Sequence, residues 1–360
     1  MTSTSAPARR VETVWAESPT TPMRVMVRIV AGMLLMVLAW TVLSWAVLNA
    51  ASPFAEPSAC QKSSGACWPF LAAKLRLVLF GRYPFQEQWR PALVLLIAAA
   101  LIVWSMRETL RRRTSGIRGR ALLAGWLFGL AICGLTLSGG ALGLKRVPSE
   151  SWDGLPLTIL LATLSSFGAF WLSIGLALAR RSKMVVISAL STAYIEFVRG
   201  VPLVGLLFMT FVLLPLALPA GWSVNSPVRA LAVLTLFLAA YMAEVVRGAL
   251  QMVPRGQYEA ASAVGLGYWK TMAIVVLPQA LTQALPALAN LFISAIKETA
   301  VVFTVGMFDL LGGAESAIGD PAWGGRFLEI YAFVLFIYFV LCGSVSYYSR
   351  ALERAASTKT

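Results

Sequence analysis

The 360-residue sequence contains no histidine. This excludes mechanisms that need an imidazole, among them Ser-His-Asp hydrolysis and His-ligated metal sites. Charge is scarce too. Asp, Glu, Lys and Arg make up 13% of the residues, about half the share of an ordinary soluble domain. Acidic residues are the rarer sign, 16 against 30 basic, which leaves a formal net charge of +14. The four cysteines, Cys60, Cys67, Cys133 and Cys342, show no metal-binding spacing. A G-x-x-x-x-G-K-[ST] phosphate loop is missing as well, so any ATP hydrolysis takes place on another chain. Neither catalytic residues nor a metal site are expected.

What the sequence has in excess is apolar surface, at 58% of residues. A water-soluble globule of this size cannot bury so much in one core, and the remainder must face lipid. In a soluble protein a +14 balance suggests nucleic acid. In a chain with long apolar runs it is better read as the basic cytoplasmic loops of a membrane protein, with no nucleic-acid partner. The expected fold is all-α: a polytopic integral membrane protein of about eight transmembrane helices.

Charge-free runs place these spans at Ile29–Ala55, Pro91–Met106, Ala121–Leu144, Gly154–Ala179, Ala230–Val246, Thr271–Ile296 and Ile330–Ser349. A further span lies within Gly200–Val228 and is expected to end near Pro215 to Pro219. Arg90 and Arg107 flank the shortest run, where they can snorkel. Residues 1–27 read as a disordered cytoplasmic tail, not a signal peptide, and the first span as an uncleaved anchor. Alternating from a cytoplasmic N-terminus puts 20 basic residues inside and 9 outside, with Lys297 at a span end. Both termini are therefore expected in the cytoplasm.

The same alternation places the loop 52–89 outside, where Cys60 and Cys67 can form a disulfide. Within it, Trp68–Phe80 reads as a helix lying on the membrane surface, with Trp68, Tyr83 and Trp89 as interface anchors. A role in partner docking is the alternative.

The connection between the sixth and seventh spans departs from a plain hairpin. Pro254 and Gly256 end the incoming helix. Glu259 to Val264 then make a short helix of small residues with an acid at its start, and Gly265 and Gly267 break it. Ala260 and Ala261 allow close approach to a groove on another protein. An ordinary surface turn is the plainer reading.

The pattern Glu259-Ala260-Ala261, then Gly265, then Val275-Val276-Leu277-Pro278, resembles the EAA motif of ABC-importer permeases. The family usually has Ile where this chain has Val275. Further segments resemble the polar amino-acid uptake permeases. They are Tyr194-Ile-Glu196-Phe-Val-Arg199-Gly200, Tyr241-Met-Ala-Glu244-Val-Val-Arg247-Gly248, Leu277-Pro278-Gln279-Ala280-Leu281, Asn290 and Lys297-Glu298-Thr299. The added N-terminal spans look like those of the larger permease of general L-amino-acid importers.

The resemblance implies a type I ABC-importer permease core of five helices at 148–353. A three-helix extension at 28–147 would precede it and a short tail at 354–360 would follow. It further implies a bacterial inner-membrane location, a coupling helix at 257–268 (Glu259, Ala260, Ala261, Gly265, Leu266, Gly267) and a second homologous permease forming a heterodimer. Two ATPase subunits would carry the ATP and Mg, since this chain would bind no cofactor. A periplasmic amino-acid-binding protein would deliver the amino-acid substrate.

The remaining charges fall near span ends. Glu196 with Arg199, and Glu244 with Arg247, are three apart and so share a helix face. Both pairs read as structural ion pairs, with substrate contact by Glu244 as the alternative. Asn290 and Lys297 lie seven apart on nearly one face of the seventh span, beside Glu298 and Thr299, and can line a polar path. Pro278 and Pro286 can kink that span. Two other readings stay open: an ion-coupled secondary transporter, and a non-transporting membrane scaffold.

Overall fold

In the computed structural model, residues 21–56, 58–110, 116–140, 143–219, 221–323 and 326–357 are described. They are all-helical apart from loops and two isolated bridges. Fifteen α-helices follow in order: α1 Thr21–Leu43, α2 Ala59–Lys62, α3 Trp68–Phe80, α4 Trp89–Leu110, α5 Gly116–Ser138, α6 Gly154–Arg180, α7 Val185–Gly200 and α8 Leu203–Phe208. After these come α9 Leu214–Ala217, α10 Ser226–Met252, α11 Arg255–Ala263, α12 Tyr268–Lys270, α13 Leu277–Glu298, α14 Leu310–Ile318 and α15 Phe327–Ser357. Seven helical stretches are long and apolar enough to span a bilayer, and a bent pair makes an eighth. Only the last seven residues of the expected N-terminal tail, 21–27, are described, and they already belong to α1.

Two units form. In the first, residues up to Phe70, α1 exposes apolar side chains all round, as a helix bathed in lipid does. The loop after it is stapled locally. Cys60 and Cys67 form a disulfide with Cα atoms 5.3 Å apart, and Trp68 Nε1 donates to the Ala46 carbonyl at 2.8 Å.

The second unit begins at Leu71. Its central contact is α6 against α10. Small residues recur down one face of α6 at Ala162, Ser166, Ala169, Ser173 and Ala177, all buried. Ala239, Ala240 and Ala243 on α10 are buried as well. Without a hydrophobic force between helices in lipid, such small-residue faces let the backbones approach until dispersion holds them.

The expected fifth span is longer and sharper than its charges suggested. The sequence between Lys183 and Arg199, which lies between two of the expected spans, forms α7. It joins α8–α9 through a 105° bend. Pro202 forces the bend: it lacks an N–H and pushes Val201 to φ −103°, ψ 134°, outside the helical region. Two segments of widened helix, Met209–Leu213 and Thr271–Val276, each run up to a proline at the first turn of the next helix, Pro215 and Pro278. Proline cannot donate to the carbonyl four residues back, so the ladder shifts locally to i+5. The Phe211 carbonyl orphaned by Pro215 accepts from Arg229 Nη1 at 3.2 Å.

Two expected interface residues turn inward. Arg90 is only 1% exposed: it pairs with Glu87 at 2.7 Å and donates to the Lys145 carbonyl at 2.7 Å. With both partners at hand the guanidinium gains nothing by snorkelling. Tyr83 is also buried, its hydroxyl donating to the Leu137 carbonyl at 2.9 Å. Trp89 stays half exposed.

Residues 71–82 are clamped onto the start of α6 and onto α14, rather than only lying on a surface. Gly154 has φ +68°, and a Cβ there would come within 2.2 Å of the Leu79 carbonyl oxygen. Asp153 is buried and accepts from Arg82 N at 3.1 Å and Nε at 2.8 Å. Lys74 pairs with Asp320 beyond α14, and this holds the Asp320 carboxyl below its usual range.

Asp309 caps α14 by accepting from Gly312 N at 2.9 Å and from the Tyr338 hydroxyl at 3.3 Å. Burial pushes its pKa up from 3.8 to about 6, against these hydrogen bonds. The folded state therefore binds the proton more tightly than the unfolded chain does, so stability falls as pH rises from about 4 to about 6. Asp309→Asn keeps a capping acceptor without the charge. It is expected to flatten that slope and to raise stability at pH 7 by on the order of 2–3 kcal/mol, measured by unfolding in detergent as a function of pH.

Candidate functional site

The helix α11 is set apart by its two ends. Pro254 stands before it and cannot extend α10 through Val253, which is extended at ψ 123°. At the far end Gly265 takes φ +78°, with Leu266 N donating to the Ala261 carbonyl and Gly265 N to the Ser262 carbonyl, both at 3.0 Å. This is a Schellman cap, and it needs a left-handed residue at that position. No atom lies within 4 Å of a Cβ built on Gly265, so the requirement is conformational and not one of space. Gly267, at φ −69°, leads into α12 without such a need.

Of the EAA residues, Ala261 is buried, while Glu259 and Ala260 face outward with Ala263, Val264 and Gly265. Leu266 is half-buried. The helix α11 is also tied to α13. Gln279 Nε2 donates to Gln257 Oε1 at 3.1 Å and to the Val275 carbonyl at 2.9 Å, beside the widened turn that precedes Pro278. At the end of α10, Arg181 Nη1 and the Tyr258 hydroxyl both donate to the Leu250 carbonyl.

Near α11 lies a five-residue charge network. Glu244 is its hub. It bonds Arg247 at 2.8 Å, pairs closely with Arg180, and stands 3.8 Å from Arg199. Glu244 and Arg247 thus meet three apart on one helix. Glu196 turns instead to Arg180 at 2.9 Å, and its expected partner Arg199 points to Glu244 and packs over Tyr241. Arg180, the last residue of α6, joins α7 to α10. Sequence spacing could not give it that role, because its partners are 16 and 64 positions away.

The residues singled out in the seventh span fall on α13 and just past it. Asn290 and Lys297 are exposed, Glu298 is half-buried, and Thr299 is buried with its hydroxyl on the Ile296 carbonyl. The exposed face holds more than the sequence reading singled out. Thr282, Gln283 and Pro286 continue it toward α11, with Gln279 half-buried at its start and Ser294 between Asn290 and Lys297. These positions recur at steps of three and four, the helical signature that would have exposed the stripe before the fold was seen. One polar stripe therefore runs the length of α13, with the other faces packed on α10, α15 and α6.

The chain matches, over residues 150–358, the family described as binding-protein-dependent transport system inner membrane component. It belongs to that family. Family membership makes it a multi-pass inner-membrane permease component, and the match opens just before α6. An inner membrane amino-acid ABC transporter permease protein of Escherichia coli K12, YhdY, is 42% identical over 316 residues, covering 88% of this chain and 84% of its own. That alignment is longer than the family match and so includes residues ahead of it. The glutamate/glutamine/aspartate/asparagine transport system permease protein BztC of Rhodobacter capsulatus is 34% identical, over 81% of this chain and 79% of its own. A crystal structure titled as an amino acid ABC transporter with histidines is 31% identical, with a TM-score of 0.50. It covers 56% of this chain and 91% of that one.

Glu244 compensates three guanidiniums in a partly buried setting, so its loss leaves like charges facing one another. Glu244→Gln is expected to destabilise the chain by about 2 kcal/mol, and Glu196→Gln, at the exposed rim, by less than about 0.5 kcal/mol. Thermal unfolding of the solubilised protein at low and high salt checks the order of the two.

Proposed function

We propose that the chain is a permease subunit of an ATP-driven importer for polar L-amino acids, oriented with both termini and α11 in the cytoplasm. In this reading α11 and its glycine cap, Glu259 to Gly267, form the coupling helix that seats in a groove of an ATPase subunit. The observation that carries it is the capped helix: Glu259 and Ala260 are exposed while Ala261 packs inward, and Gln257 ties it through Gln279 to the polar stripe of α13. Movement imposed on α11 then has a direct mechanical route to the helix that carries the polar groups.

The stripe from Gln279 through Asn290 to Lys297 lines one side of the path, and the second permease lines the other. An amino acid presents an ammonium and a carboxylate, so its path needs acceptors and donors together. Amides, hydroxyls and one lysine supply both. The Glu244 network lies at the α11 end, where its ion pairs fix how α6, α7 and α10 pack. Two ATPase subunits hold ATP and Mg, and a binding protein delivers the amino acid at the α14 end. A similarity to amino-acid permeases in two bacteria supports the substrate class.

The test is purification of the chain with its co-purifying subunits, followed by ATPase assays with binding protein loaded with different amino acids. Stimulation by loaded protein, and uptake into vesicles that survives collapse of the proton gradient, are expected. Absence of any co-purifying ATPase would end the proposal. Within this system, Gly265→Asn, which tolerates the left-handed cap, is expected to retain most uptake. Gly265→Val is expected to lose most of it through backbone strain, and Gly265→Asp through the negative charge it adds on the exposed face, both while still inserting in the membrane. Equal uptake by all three variants would remove the cap from the mechanism.

A further inference from the structure

An apolar cavity of about 450 Å³ opens between α4 and α5 of the extension and α6, α13 and α15 of the core. No charged side chain lines it, so it offers nothing to a zwitterionic amino acid and is separate from the stripe on α13. Its polar lining is hydroxyls and one indole, and several are already engaged: Trp126 Nε1 donates to Ser105 Oγ at 2.9 Å, Thr158 to the Gly154 carbonyl, and Ser349 to Glu353. Ser166 Oγ is buried without a hydrogen-bond partner, but the rest of the exposed lining is apolar enough that a hydrocarbon suits it better than a polar or charged occupant.

Length and charge narrow the occupant further. On α13 the lining runs from Leu285 to Ile296, and on α15 from Leu341 to Leu352. Each stretch is about 16 Å at 1.5 Å per residue, the depth of one leaflet. At the end where α4 and α15 finish, Arg107 follows the lining Met106, Arg350 follows Ser349, and Arg120 lies on α5 ahead of Trp126, all three exposed. Against these three arginines stand Glu108 and Glu353, the acidic residues nearest in sequence, so the described residues at the mouth are net basic. Basic clusters at the mouths of grooves between transmembrane helices suit anionic lipid headgroups.

We propose that this cavity binds one acyl chain of an anionic glycerophospholipid, with its headgroup phosphate at Arg107, Arg120 and Arg350. The lipid fills the seam between extension and core, so α4 and α5 meet α13 and α15 partly through it. The extension thereby makes the core's packing depend on the lipid of one leaflet.

Native mass spectrometry of the assembled transporter, exchanged into detergent with phosphatidylglycerol or phosphatidylcholine, tests this. The unaltered protein is expected to retain phosphatidylglycerol selectively. Ala289→Phe fills the cavity from α13 and is expected to abolish that retention. Arg107→Gln with Arg120→Gln is expected to lower the preference for phosphatidylglycerol about tenfold or more while the acyl chain still binds. Unchanged retention in the filled variant overturns the proposal, as does unchanged preference in the double variant, which serves alone should Ala289→Phe fail to assemble. Cross-linking of an Ala289→Cys variant to the second permease, rather than to a photoactivatable phospholipid, also overturns it.

Discussion

In a hydrocarbon solvent a carbonyl released from its helix has no water to turn to, and every break in this bundle is organised around that cost. The breaks are numerous: a proline bend between α7 and α8, two widened turns before Pro215 and Pro278, and the loops that join the spans. At several places a side chain that reads as a surface or functional residue donates to a carbonyl at or beside a helix end or widened turn. Arg229 reaches the Phe211 carbonyl, Gln279 the Val275 carbonyl, Arg90 the Lys145 carbonyl and Tyr83 the Leu137 carbonyl. Arg181 and Tyr258 share that of Leu250. Such donors permit irregular backbone at membrane depth, and irregular backbone is what allows a helical bundle to bend and re-pack.

The same constraint links the two ends of the core. At the α11 end the polar groups are fully charged and mutually paired: three arginines and two glutamates on α6, α7 and α10, with Glu244 at the centre. At the α14 end backbone comes into close register, Gly154 against Leu79, beside the carboxylates of Asp153, Asp320 and Asp309, which hold Arg82, Lys74 and the start of α14. Between them α6 and α10 touch through small residues, a contact that slides more readily than interlocked large side chains. A stiff pair of ends joined by a smooth middle suits helices that rock as units. Gln257 and Gln279 then place α11 in contact with α13, whose exposed face carries the polar stripe.

Much of this was legible in the sequence. Composition alone assigned the chain to a membrane, apolar runs located seven of the spans, and Pro254 and Gly265 marked the bounds of the short helix α11. The polar stripe was partly readable. Asn290 and Lys297 stood out as polar in an apolar run, whereas Gln279, Thr282 and Gln283 sit near prolines and a span end, where polarity is unremarkable. Their common face shows only when the three-and-four spacing is followed down to Gln279. The segment 185–199 falls between the expected spans because charges flank it, and those charges proved to be partners for other helices.

The amino-acid sequence by itself determined what is local: which stretches are apolar, where proline must break a helix, and where only glycine can close one. Those outcomes depend on backbone sterics and on transfer to lipid, both properties of a residue and its near neighbours. Only the tertiary structure decided which charges meet, because a guanidinium several bonds from its backbone chooses among carboxylates brought near by other helices. Arg180 with Glu244, Arg90 turned inward, the clamp of residues 71–82 on α6 and α14, and the apolar seam behind α4 and α5 are all of that kind. The scarcity of charge from which the reading began is therefore selective: few charges are present, and those near the membrane are largely committed to partners distant in sequence.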